Sequence, residues 1–102
     1  MMNMLNFYVS EKQKHSGKLL YEWLLEEGRA LGITGGSAFR AISGYGRHGR
    51  MHEEGFFELA GELPVKVEFI LDDEHAEKLL ALLRDMNMRI FFMRTQIEAG
   101  TV

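Results

Sequence analysis

The sequence predicts an α+β domain in which a strand–helix–strand unit occurs twice, βαββαβ. Three observations carry this reading. Leu5, Phe7 and Val9 alternate with other residues near the start; apolar residues recur at helical spacing around Trp23 and again around Leu79; and the only proline, Pro64, opens an alternating apolar run. Right-handed crossovers lay both helices on one face of a four-stranded antiparallel sheet, the ferredoxin-like arrangement.

The first strand is expected over Met4–Val9, with Leu5, Phe7 and Val9 on one face. Ser16 is expected to cap a helix that begins at Gly17 or Lys18. Leu20, Trp23, Leu24 and Leu31 line its dry side, Glu22, Glu26, Glu27 and Arg29 its wet side, and Gly32 ends it. Gly35-Gly36 reads as punctuation before a second strand over Ser37–Ser43. The stretch from Gly44 to Glu62 is polar and glycine-rich and reads as a long loop, with a short strand extension at Phe56–Leu59. Pro64 then opens a third strand, Val65–Leu71; proline is tolerated there because it removes no interior ladder bond. Asp72 or Asp73 caps a second helix whose apolar line is Ala76, Leu79, Leu80, Leu83 and Met86. Arg89–Ile97 is the fourth strand. The sheet face away from the helices would display Met4, Tyr8, Phe91 and Met93, and an uncovered apolar face points to assembly.

With 102 residues, 46% hydrophobic and 26% charged, the chain fits one globular domain over 1–102, which excludes a wholly disordered chain. Zero cysteines exclude a disulfide scaffold, thiol catalysis and a cysteine zinc site. A net charge of −3 argues against nucleic acid as a partner. No apolar run approaches the ~20 residues of a membrane span, and Met1–Ser10 lacks signal-peptide features. The expected setting is the cytoplasm.

Charge is unevenly spread. From Leu31 to His52 there is no acidic residue, while Arg40, Arg47, His48, Arg50 and His52 all fall there. Glycines let backbone N–H groups approach a ligand, and arginines offer planar donors to phosphate or carboxylate. Two readings stand, an anion site and a solvated basic loop. Gly44-Tyr45-Gly46-Arg47-His48-Gly49 matches the dinucleotide fingerprint G-x-G-x-x-G, yet the following residues are too short and too glycine-bounded for the helix that fingerprint opens. His48 and His52 with Glu53 and Glu54 offer metal-ligand chemistry, but the segment does not read as a helix that would fix them, so no metal is assigned. Ser16, Ser37 and Ser43 lack a histidine–acid partner, so no catalytic residue is assigned. Tyr45 and Trp23 are candidates to stack on a base, with Trp23 better placed in the core. The methionines, among them Met86, Met88 and Met93, read as core or interface filler.

Gly32-Ile33-Thr34-Gly35, Gly44-Tyr45-Gly46-Arg47 and Leu63-Pro64 followed by Lys66-Val67-Glu68 resemble the motifs of the PII signal-transduction proteins. Leu31 to Gly46, His52, and Leu59 to Glu68 are similar to a PII-like prokaryotic family catalogued as a domain of unknown function, number one hundred and ninety. The resemblance implies a non-enzymatic signalling homotrimer with no obligatory cofactor. An adenine nucleotide would bind in the clefts between subunits, and a T-loop, here about residues 46–62, would contact a protein partner such as a membrane transporter or channel. It places Gly44, Tyr45, Gly46 and Arg47 at the T-loop base near the phosphates, Glu68 near the adenine, and Arg40 on an anion. The glycine-rich phosphate loop of PII proteins is replaced by Asp85-Met86-Asn87-Met88-Arg89, where only Arg89 stands in for the family lysine. AMP or ADP is therefore expected over ATP. The alternatives are a divalent-metal-binding trimer of related fold and a small enzyme using the same cleft.

Overall fold

In a computed structural model, residues 1–45 and 63–102 are described. Among the described residues, six strands and two helices follow one another as β1 (Met2–Ser10), β2 (Lys14–His15), β3 (Lys18–Leu19), α1 (Leu20–Ala30), β4 (Gly35–Arg40), β5 (Pro64–Asp72), α2 (Asp73–Asp85) and β6 (Phe91–Ile97). The main sheet is antiparallel with order β4-β5-β1-β6. This is the βαββαβ arrangement expected from the sequence. The β2–β3 hairpin is an addition.

Alternation in β1 sets the layers. Leu5, Phe7 and Val9 face the helices and pair with Phe69, Val67 and Val65 of β5. With Leu20, Trp23 and Leu24 of α1 and Ala76, Leu79, Leu80 and Leu83 of α2 they form the core. Phe69 sits at its centre, edge-on to Phe7 with ring centroids 6.2 Å apart. Its ring reaches α1 and β4 because both present glycine there: a Cβ on Gly28 would lie 2.5 Å from Phe69 Cε1, and one on Gly36 3.0 Å.

The helix boundaries have local causes. Ser16 and Gly17 take positive φ (53° and 82°) and turn the β2–β3 hairpin, so Ser16 is a turn residue and α1 starts later, at Leu20, without a side-chain cap. Asp72 caps α2 as expected, accepting from the His75 N–H at 2.8 Å. The same oxygen meets His75 Nδ1 at 2.7 Å, and these contacts hold the Asp72 carboxyl below the usual range, the backbone bond contributing most. Asn87, at φ 55°, closes the C-terminal end of α2 in the left-handed region, its N–H bonded to Arg84 O at 2.9 Å. Gly35 and Gly36 lie inside β4 and do not punctuate it, and β6 begins two residues later than expected.

One edge of the core is polar. Buried Asn3 donates to Asp73 Oδ1 at 2.7 Å and accepts from Arg94 Nε at 3.3 Å, while Arg94 also pairs with Asp73 and Glu77. The Asn3 donation, ahead of the N-terminal ammonium and Arg94, holds the Asp73 carboxyl low.

The opposite sheet face carries Met4, Asn6 and Tyr8 from β1, Phe91 and Met93 from β6, and Phe39 from β4, as the register requires. Phe39, Phe91 and Met93 are exposed. Asn6 is buried among its larger neighbours, and its Oδ1 has no hydrogen-bond partner among the described residues.

Candidate functional site

The chain leaves the sheet at Arg40 and returns at Pro64. These two stems are stitched together. Ala41 N–H donates to Pro64 O at 2.9 Å, which carries the β4–β5 ladder one step past the strand end. Just beyond β1, Glu11 binds both stems. Its N–H donates to Leu63 O at 3.1 Å, its Oε2 accepts from Leu63 N–H at 3.3 Å, and its Oε1 lies 3.1 Å from Arg40 Nε. Glu11 was not singled out from the sequence, because its partners are 29 and 52 residues away and no local pattern marks the contact.

Beside the stems is a cavity of about 300 Å³ lined by Tyr8, Phe39, Arg40, Ala41, Pro64 and Lys66. Sheet pairing explains who meets there: Tyr8 lies opposite Lys66, and Lys66 opposite Phe39. Lys66 Nζ stands 5.1 Å from the Phe39 ring centroid and 3.6 Å from Glu68 Oε2. Tyr8 also meets the Phe91 ring at 5.9 Å between centroids. The cavity thus offers aromatic faces to a planar group and two cations to an anion, while Glu68, two residues along β5, supplies a carboxylate.

Of the site residues read from the sequence, Arg40 lines this cavity and Glu68 adjoins it. Gly44 and Tyr45 lie on the outgoing stem, Tyr45 almost fully exposed. Gly46, Arg47 and the histidine pair His48 and His52 fall outside the described residues, as does Phe56–Leu59. Arg89 lines a separate cavity of about 270 Å³ with Lys14, His15 and Asn87, where the β2–β3 hairpin meets the α2–β6 connection at the same end of the sheet. Trp23 is in the core, its ring 4.5 Å from that of His15. A larger cavity of about 590 Å³ at the α1–β4 connection, lined by Leu25, Arg29 and Thr34 among others, contains none of the candidate ligand-binding residues. Two cations and two aromatic rings converge at the cavity of about 300 Å³ beside the stems. Among the described residues no group of three or more His, Asp or Glu side chains is placed to hold a metal ion, and no helix is long and apolar enough to cross a membrane.

Comparison with known proteins agrees with this architecture. Two solved structures share the fold: a protein of Thermus thermophilus assigned as PII-like signalling (TM-score 0.60, 18% identity, 92% of this chain and 84% of that one), and CPII of Thiomonas intermedia bound to ADP and bicarbonate (TM-score 0.53, 17% identity, 94% and 87%). Among curated relatives, a UPF0166 protein of Aquifex aeolicus is 36% identical over 77 residues, 76% of this chain and 73% of the relative. A UPF0166 protein of Methanocaldococcus jannaschii is 30% identical over 82 residues, 80% and 75%. Residues 2–99 match the family DUF190, described as Uncharacterized ACR, and the chain belongs to that family.

Proposed function

We propose that this chain is a non-enzymatic PII-like regulatory protein, a homotrimer that binds AMP or ADP in clefts between subunits and offers segment 46–62 to a protein partner. The observation that carries the reading is the cavity of Tyr8, Phe39, Arg40 and Lys66 beside the loop stems, which matches a planar base joined to an anion. The ADP bound to the Thiomonas protein, of similar fold, supports that ligand class. Among the described residues the cavity is open to one side, and a second copy would supply a further wall there. The apolar sheet face and the unpartnered Oδ1 of Asn6 support assembly through the same side. Loop stems tied to the cavity give ligand binding a route to a partner surface, provided the ligand favours one loop state.

Titration calorimetry with AMP, ADP, ATP and adenosine tests this. Losing a charge-assisted contact should weaken nucleotide binding by about ten- to a hundredfold in Arg40→Ala and Arg47→Ala, with adenosine unaffected. Glu68→Gln should alter base preference, because an amide can donate where a carboxylate only accepts. With no glycine between Asp85 and Arg89, ATP should bind no more tightly than ADP. Failure of every nucleotide to bind below about millimolar would end the proposal.

A further inference from the structure

We infer that His15, Met86 and Met88 form a site for a soft, singly charged metal ion, Cu(I) or its redox-inert analogue Ag(I), independent of the nucleotide reading above. All three line the cavity of about 270 Å³ where the β2–β3 hairpin meets the α2–β6 connection. Two thioethers and an imidazole are neutral donors. Thioether sulfur suits Cu(I), whereas zinc sites draw on thiolate, imidazole and carboxylate, and Mg(II) on oxygen. Lys14 and Arg89 also line the cavity, and both are exposed. Their repulsion of a cation is proportional to its charge, so it weighs half as much on Cu(I) as on a divalent ion and favours the same choice.

Both halves of the site are fixed at the backbone. Ser16 and Gly17 turn the hairpin, His15 pairs with Lys18, and Leu20 N–H donates to Gln13 O at 2.7 Å. The ring of buried Trp23 lies 4.5 Å from that of His15 and backs it from the core. On the other side α2 ends in a Schellman motif. Asn87 N–H donates to Arg84 O and Met88 N–H to Leu83 O, both at 2.9 Å, with Asn87 at φ 55°. That closure sets Met86 and Met88 on either side of Asn87. Packing accounts for Met88, which rests against the core, but not for Met86, which is 42% exposed. Unbranched thioether chains turn with little strain, so both sulfur atoms can converge on the imidazole across a cavity of this size.

The test titrates the protein with Ag(I) in chloride-free buffer. It follows the fluorescence of Trp23, the only tryptophan, together with the methyl resonances of Met86 and Met88. One equivalent per chain should quench Trp23 and shift both methyl signals, while Zn(II) and Mg(II) at the same concentration leave them unchanged. Met86→Leu removes a donor at nearly constant volume from an exposed position, so the metal-free protein should melt as before. It should weaken Ag(I) binding at least about tenfold, and so should His15→Gln. Replacing the other histidine pair, His48→Gln with His52→Gln, should leave the Trp23 response intact. Methyl signals that do not move, or Ag(I) affinity unchanged in both Met86→Leu and His15→Gln, overturn the inference. So does a response to Zn(II) at the concentration where Ag(I) acts, or loss of the Trp23 response in the His48 and His52 variant.

Discussion

Gly28→Ala probes how the core seats Phe69. Alanine normally stabilises a helix interior relative to glycine by about 1 kcal/mol, so a helix judged alone predicts a gain. Here the new Cβ would lie 2.5 Å from Phe69 Cε1 and 2.9 Å from Cζ, well inside contact distance. Gly36 backs the ring on the β4 side and Phe7 packs edge-on at 6.2 Å, so its one open side is the α1–β4 cavity that it lines with Leu25. Overpacking of a dense core costs about 1–3 kcal/mol, and a clash this close belongs at the upper end. Subtracting the propensity gain leaves a net loss of about 2 kcal/mol. For a domain of this size that is a drop of roughly 8–16 °C in Tm. Thermal unfolding followed by circular dichroism, at one protein concentration because assembly shifts Tm, measures it. Phe69→Leu in the same background should recover part of the loss, as contacting residues couple. An unchanged or higher Tm for Gly28→Ala would refute the reasoning, for it would mean that the ring moves aside freely.

The remaining expectations concern charge and metal. Asp72 and Asp73 have their carboxyls held low, so the stability they contribute is full above the ordinary aspartate value of 3.8 and is lost as pH falls through the lower folded value. Asp73→Asn should therefore flatten the acid limb of a stability profile below the ordinary aspartate value of 3.8, and an unchanged limb would exclude that role. Chelator treatment should leave Tm within about 2 °C, whereas a loss above about 5 °C would reveal a structural metal and favour the histidine pair His48 and His52.

Much of the fold was legible because it is written in local alternation. Leu5, Phe7 and Val9 fix the face of β1, and β1 pairs with both β5 and β6, so one correct register places Tyr8, Phe91 and Met93 together. What was misread turned on residues with two local meanings. Ser16 suits a helix cap, yet beside Gly17 it turns a hairpin. Gly35-Gly36 suits a break, yet Gly36 lies inside a strand because Phe69 occupies the space a side chain would fill. At the candidate site, Arg40 stood out by its acid-free surroundings. Glu11, Lys66, Tyr8 and Phe39 did not, since they converge only through cross-strand pairing and the contact of Glu11 with Arg40 and Leu63, distant in sequence.

Native mass spectrometry of the freshly purified protein tests the central claim most directly, because assembly and ligand are read in one spectrum. A nucleotide-binding trimer gives the mass of three 11.7 kDa chains plus additions that match AMP or ADP when either is supplied, and no addition when an unrelated sugar phosphate is supplied instead. A single-chain mass that takes up no nucleotide would contradict it.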